Sequence, residues 1–256
     1  MNLIIAANWK MNKTIEETKE YVKKFKVWQE ELSGSQVIIC PPFTALLTAR
    51  EELFKTAFHL GAQNMMWGNE GAYTGEISPL MLRELGVRYV IIGHSERRRV
   101  FGETDELINR KINAALEYNL IPIFCVGESM EDHQSGRMKK IILAQLREGM
   151  KGIDTGKVKS MIIAYEPVWA IGTGVAASEE DVTAATECIL EEIDRIFEDG
   201  SRVKILYGGS VNKDNIGGFV SIPGIEGTLV GGASLQADVF AGLIRAANSA
   251  RVYREV

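Results

Sequence analysis

The stretch MIIAYEPVWAIGTG (Met161–Gly174) is apolar from Met161 through Ala164, reaches Tyr165, meets a single acid at Glu166, and turns at once into proline. A strand with one wet face alternates apolar and polar residues. An unbroken apolar run suits a parallel strand covered on both faces. Behind the acid come four more apolar residues, Val168–Ile171, and then Gly172 and Gly174 around Thr173. Such a loop is too apolar for permanent solvent, and its glycines permit unusual dihedrals. A lone carboxylate beside it calls for an explanation.

Working outward from Met161, the same grammar recurs. Apolar runs occur at 3–7, 36–40, 59–63, 89–92, 121–126, 160–165, 204–207 and 227–230, and several, such as VIIC (Val37–Cys40) and YVII (Tyr89–Ile92), lack alternation altogether. A helical segment follows each run. Thr14 and Glu17 have capping-box spacing ahead of ETKEYVKKFKVWQEEL (Glu17–Leu32). Ser78-Pro79 offers an N-cap and a first-turn proline. Ser178 and Asp181 repeat the box, with a stop expected near Asp199-Gly200. Strand then helix, repeated through a chain of 256 residues, predicts an α/β fold. Residues 1–256 are expected to form one domain, a parallel (β/α)₈ barrel. An open doubly wound sheet would more often carry GxGxxG after an early strand, and none is found there.

Composition narrows the function classes. The net charge of −5 argues against a general nucleic-acid binder. No apolar run reaches membrane-spanning length, and the start MNLIIAANWK lacks the basic and apolar regions of a leader, so a soluble, cytoplasmic protein is expected, with no membrane partner. Three scattered cysteines, Cys40, Cys125 and Cys188, suggest free thiols in a reducing compartment.

Barrel enzymes act at the carboxyl ends of their strands. The segments found there include Asn8–Lys10, Gly93–Glu96, Gly127–Ser129, Glu166–Trp169, Gly208–Ser210 and Gly231–Ser234. Glu166 suits a general base, because a carboxylate at the edge of an apolar site gains basicity. Taken alone it would be an ordinary strand-end glutamate; the apolar loop behind it favours an acid working in a pocket that the loop seals. His94 suits a neutral imidazole donating to a carbonyl oxygen, its bland alternative being a hydrogen-bonded strand-end histidine. Only three histidines exist, and His94 with Glu96 lacks further metal ligands, so no metal is expected. Lys10 can oppose negative charge, or be a surface lysine. Asn8 can donate its amide, or cap a turn. The glycine pairs at 208–209 and 231–232, after the last two strands, fit a site where backbone N–H groups grip a phosphate. Cys125 has no evident base and is read as a packed thiol. The tryptophans suit packing or lid duty, and ERRR (Glu96–Arg99) suits ion pairing.

NWKMN, GHSERR, YEPVWAIGTG, LYGGSV and LVGGASL, in this order, resemble the triosephosphate isomerase family, and AQNM, GAYTGEISP, VFGETDELINRK and CVGES extend the resemblance over nearly the whole chain. It implies interconversion of dihydroxyacetone phosphate and glyceraldehyde 3-phosphate through an enediolate, as in glycolysis and gluconeogenesis, with neither cofactor nor metal. Glu166 would be the base, His94 the electrophile and proton shuttle, and Lys10 and Asn8 the enediolate stabilisers, with Glu96 in support. Gly172, Ser210, Gly231 and Gly232 would hold the phosphate. Pro167, Val168, Trp169, Ile171, Gly172, Thr173 and Gly174 would form the lid. Ile171 and Leu229 would press on the base, and Tyr207 and Ser210 would latch the closed lid. The family implies a homodimer through the loop 63–79, Thr74 near its tip, whose Met65, Met66, Trp67 and Tyr73 a monomer would leave partly exposed. Val175, Ala176 and Ala177 depart from the family's usual far hinge, and WGNEG (Trp67–Gly71) is also less usual. A paralogue acting on a four-carbon sugar phosphate would keep the same groups. An inactive binding barrel would not need Lys10, His94 and Glu166 together, and a Schiff-base lyase would want a lysine on a middle strand.

Overall fold

In the computed structural model, which describes residues 2–158, 161–171, 176–197 and 203–252, the apolar runs are strands. They are β1 (Leu3–Asn8), β2 (Ser35–Cys40), β3 (His59–Ala62), β4 (Tyr89–Ile92), β5 (Ile121–Val126), β6 (Ile162–Tyr165), β7 (Lys204–Tyr207) and β8 (Ile225–Val230). All neighbours pair in parallel, and β8 returns to β1, so the sheet closes into a barrel. The double-sided burial read from Met161–Ala164 has a direct cause in this closure. Alternate residues such as Ile4, Ala6, Ile38, Ile91, Ile123, Ala164 and Leu206 fill the barrel interior. Their neighbours Leu3, Ile5, Ala7, Ile39, Ile92 and Ile163 pack outward with the helices. Each fully buried large aliphatic side chain contributes roughly 1.5–3 kcal/mol.

Strand ends differ from the sequence expectation where a polar side chain intervenes. The first strand extends to Asn8, which is in register with Cys40. The third stops at Ala62, because the Gln63 amide turns to the carbonyls of Lys10 and Cys40, each at 2.9 Å. The eighth begins at Ile225; half-buried Glu226 interrupts the apolar signal, and Gly227, at φ 152°, lies so close to β1 that a Cβ would overlap the Ile4 carbonyl.

The capping signals set the helix starts. Thr14 and Ser178 both close capping boxes, on Glu17 and Asp181, and Ser78 caps the helix Pro79–Glu84. The first helix covers Ile15–Phe25 and tightens into a 3₁₀ turn, Lys26–Trp28, instead of running on to Leu32. The tightening sets Trp28 edge-on to Phe25 at 6.3 Å and leaves Leu32 buried. The long helix Glu179–Ile196 ends at extended, buried Phe197; Asp199 and Gly200 lie outside the described residues. The Arg97–Arg99 segment is tied down as expected, with Arg97 on Glu103 and Arg98 on Asp105. No helix among the described residues is long and apolar enough to cross a membrane.

Candidate active site

Glu166 leaves β6 at the mouth of the barrel. Its N–H donates to the Val126 carbonyl at 2.7 Å, and the Gly208 N–H donates to the Tyr165 carbonyl at 2.7 Å, so the ladder fixes the acid's backbone on both sides. A Cβ at Gly127 would overlap the Glu166 carbonyl, and one at Gly208 would stand 2.9 Å from its Cγ. Glycine at both positions therefore lets the flanking loops close on the acid, which is 2% exposed.

The carboxylate faces the end of β4. Its Oε1 lies 3.1 Å from His94 Nε2, and its Oε2 accepts the Ser95 N–H at 2.9 Å. His94 is buried and caps the helix Ser95–Phe101. Its Nδ1 accepts the Glu96 N–H at 3.2 Å. A nitrogen that accepts carries no proton, so the imidazole is neutral and its N–H sits at Nε2, toward the acid.

Lys10 approaches from β1. Its backbone is left-handed, φ 53°, an arrangement that costs on the order of 1–3 kcal/mol and persists only where neighbours enforce it. Asn8 Oδ1 accepts the Lys10 N–H at 3.0 Å, and the Gln63 amide holds the Lys10 carbonyl. The ammonium then reaches Glu96 Oε1 at 2.6 Å. Desolvation is the largest influence on Glu96 and pushes its carboxyl up. The Lys10 hydrogen bond, with the charges of Lys10 and Arg99, outweighs it and brings the group below the ordinary carboxylate range.

These side chains open onto a cleft of about 210 Å³. The cleft is lined by Asn8, Lys10, His94 and Glu166, by apolar Ile171 and Leu229, and by Ser210, Gly231 and Gly232. Space over Gly232 is open, and a Cβ at Gly231 would crowd Lys10 Cε at 3.3 Å. The described arm of the predicted lid runs from buried Pro167 through the 3₁₀ turn Val168–Ala170 to Ile171. Trp169 Nε1 donates to Glu128 Oε1 at 2.7 Å, and Ser210 Oγ donates to the Ala170 carbonyl. Tyr207 is buried beside the Ala177 backbone, and burial pushes its hydroxyl pKa up to about 12. Gly172, Thr173 and Gly174 lie outside the described residues, as does Val175. Thr74 is exposed on its loop, away from this cleft.

Sequence reasoning missed several neighbours. Ser95 supplies the amide that holds Glu166, Gln63 props Lys10, and Gly127 admits the acid's backbone. Gln63 left a signal as a polar residue ending an apolar run; a backbone amide leaves none. Glu128 was passed over inside CVGES. It is fully buried under the lid arm, where it receives both Trp169 and the Tyr165 hydroxyl. Cys125 is packed, and burial drives its thiol pKa well up. The loop reading needs one correction: Met65 and Met66 are buried within this chain, the former in the core cluster, so they are not surface that a monomer leaves open. The chain folds its own loop base over them, leaving Tyr73 exposed and Trp67 partly so. Among the described residues no group of three or more His, Cys, Asp or Glu is placed as a metal site.

A neutral imidazole facing a carboxylate, an ammonium beside them and a glycine-lined end at the last two strands define a barrel enzyme of the acid–base isomerase class. Residues 3–247 match the family model described as triosephosphate isomerase. A triosephosphate isomerase of Dictyoglomus turgidum is 50% identical over 244 residues, 94% of this chain and 98% of its own. That of Carboxydothermus hydrogenoformans is 46% identical, covering 94% and 97%. That of Symbiobacterium thermophilum is 46% identical over 250 residues, covering 97% and 98%. This chain belongs to the triosephosphate isomerase family.

Proposed function

We propose that this chain interconverts dihydroxyacetone phosphate and D-glyceraldehyde 3-phosphate, with Glu166 as the base. The observation that carries the reading is the apposition of Glu166 and neutral His94 at 3.1 Å, in a cleft that Gly231 and Gly232 also line. Glu166 takes the proton from the carbon beside the carbonyl. His94 Nε2–H donates to the carbonyl oxygen as negative charge develops there, and then relays the proton between the two oxygens of the enediolate. Lys10 leaves Glu96 to face that charge, with Asn8 beside it. The backbone at Ser210, Gly231 and Gly232 receives the phosphate, joined by Gly172. Ile171 and Leu229 keep water from the intermediate, which in open solvent would expel phosphate. Tyr207 and Ser210 hold the lid, Pro167–Gly174, when it closes.

The curated relatives carry the triose name, which favours a three-carbon over a four-carbon substrate. Assembly as a homodimer through the loop 63–79 has its own support. Tyr73 and Thr74 are exposed, and beside Lys10 lies a second hollow of about 250 Å³, lined by Met11, Phe43, Glu96 and Phe101. Met11 is 96% and Phe101 68% exposed, a large apolar rim for one chain to leave uncovered. The free, buried thiols Cys40, Cys125 and Cys188 support a reducing, cytoplasmic setting. The test is isomerisation of glyceraldehyde 3-phosphate and of a four-carbon sugar phosphate by purified protein, beside Glu166→Gln prepared identically. Three-carbon turnover that disappears in the variant is the expected result; turnover of the four-carbon substrate alone would displace it.

A further inference from the structure

The lid's first arm rests on a titratable group. His133, in the helix Met130–Gln134, lies over the indole of Trp169 with ring centroids 4.3 Å apart and planes inclined by 32°. Its Nδ1 stands 3.6 Å from Glu128 Oε1, the same oxygen that accepts Trp169 Nε1–H at 2.7 Å. Glu128 is wholly buried, and its other oxygen, Oε2, has no hydrogen-bond partner among the described residues. The arm's backbone is tied to the same residue, since the Val168 N–H donates to the Glu128 carbonyl at 3.1 Å. His133 itself is 31% exposed, so solvent can exchange its proton while Glu128 stays dry.

We infer that His133 is a positioning residue for the lid: its imidazole, stacked on Trp169 and facing the Glu128 carboxylate, grips the lid's first arm more firmly when it carries a second proton. This rests on the functional reading above. Two effects act in the same direction. An imidazolium over an indole face gains a cation–π attraction. It also sets a positive charge beside a desolvated carboxylate; burial pushes the Glu128 carboxyl up, so a neighbouring cation has much to offer it. Tyr165 donates its hydroxyl to Glu128, and Asp181, at the start of the helix Glu179–Ile196, bears on Tyr165 as a further negative charge. On His133's own helix, Glu131 and Asp132 are both taken by Arg137. Histidine is the side chain that ordinarily changes charge between pH 5 and 8.

Turnover registers the grip if opening of the lid limits it, as it does in many well-evolved enzymes. A firmer hold at low pH slows release, so kcat and KM fall together while kcat/KM changes less. Attractions of this kind correspond to about a two- to fivefold change. The experiment measures kcat and KM between pH 5.5 and 8.5 for the wild type, His133→Phe and His133→Arg. Phenylalanine keeps the stack without a charge and arginine keeps a permanent one. In parallel, the Trp169-dependent emission, taken as the difference from Trp169→Phe, is titrated over the same range, since it reads the pair without catalysis. The expected result is a step in kcat and in emission for the wild type, with neither step in the two variants. His133→Phe should then sit at the fast limit and His133→Arg at the slow one. An emission step that survives in His133→Phe, or kcat profiles that superimpose on the wild type, would overturn the proposal. Absence of triose turnover in every protein would instead overturn the functional reading, and the emission titration would still decide whether His133 and Trp169 titrate as a pair.

Discussion

At the scale of single residues, Glu166 is held by more than its own strand. His94 faces one carboxylate oxygen and the Ser95 amide holds the other. Glu166→Gln keeps the size of the side chain and loses the proposed base, so kcat should fall on the order of 10²–10⁴-fold or more, as steady-state kinetics will register. A phosphate-bearing analogue should bind almost as before, because the grip proposed for it lies at Ser210, Gly231 and Gly232. Lys10→Met should weaken both binding and turnover. It should also release Glu96, whose carboxyl then moves back up without the 2.6 Å ammonium, a shift visible by carboxyl NMR. The charged residues that converge here were legible in the sequence because each interrupts an apolar run at a strand end. What holds them was less so. Gln63 only closed an apolar run and Glu128 was passed over, until the fold brought Lys10 and Trp169 to them.

At the scale of elements, starts were easier to read than stops. Thr14, Ser78 and Ser178 mark helix starts because one side-chain oxygen satisfies an amide that the helix cannot. Ser178→Ala removes such an acceptor at the head of the long helix after the lid. It should cost about 1 kcal/mol, seen as a lower urea midpoint at unchanged slope. Stops depend on packing across the molecule. The first helix tightens at Lys26 because Phe25 is already fixed against Phe58 and Phe240, which nothing local to the segment reveals. Strand eight was misread at its start for a similar reason: Gly227 is dictated by the Ile4 backbone, a neighbour far away in sequence.

At the scale of the whole molecule, closure of β8 on β1 leaves no sheet edge among the described residues, so any association there would use loops and helices. Replacement Thr74→Arg puts a bulky charge on the exposed loop. If that loop enters the hollow beside Lys10 of another copy, the variant should sediment as a monomer and lose activity with it, since the hollow shares Asn8, Lys10 and His94 with the catalytic cleft. Stability against acid has a source outside the site. Arg147 first, and then Arg195, hold the Glu192 carboxyl below its ordinary range, against the opposing pull of burial. A depressed carboxyl stabilises the fold above its unfolded pKa, and that share is lost as pH falls through the folded one. Both arginines are more than half exposed, which keeps the share small. Glu192→Gln should therefore lower Tm at pH 7 and leave it little changed near pH 3.

The bond from the Ser95 amide to Glu166 Oε2 makes one peptide hydrogen a gauge of the whole catalytic cycle. With the carboxylate parked on it, that hydrogen should trade slowly with heavy water. A ligand that draws Glu166 toward its carbon must strip the amide of its acceptor. While neighbouring amides slow under the bound ligand, this one should quicken, an isotopic signal of opposite sign set by a single swing of the acid.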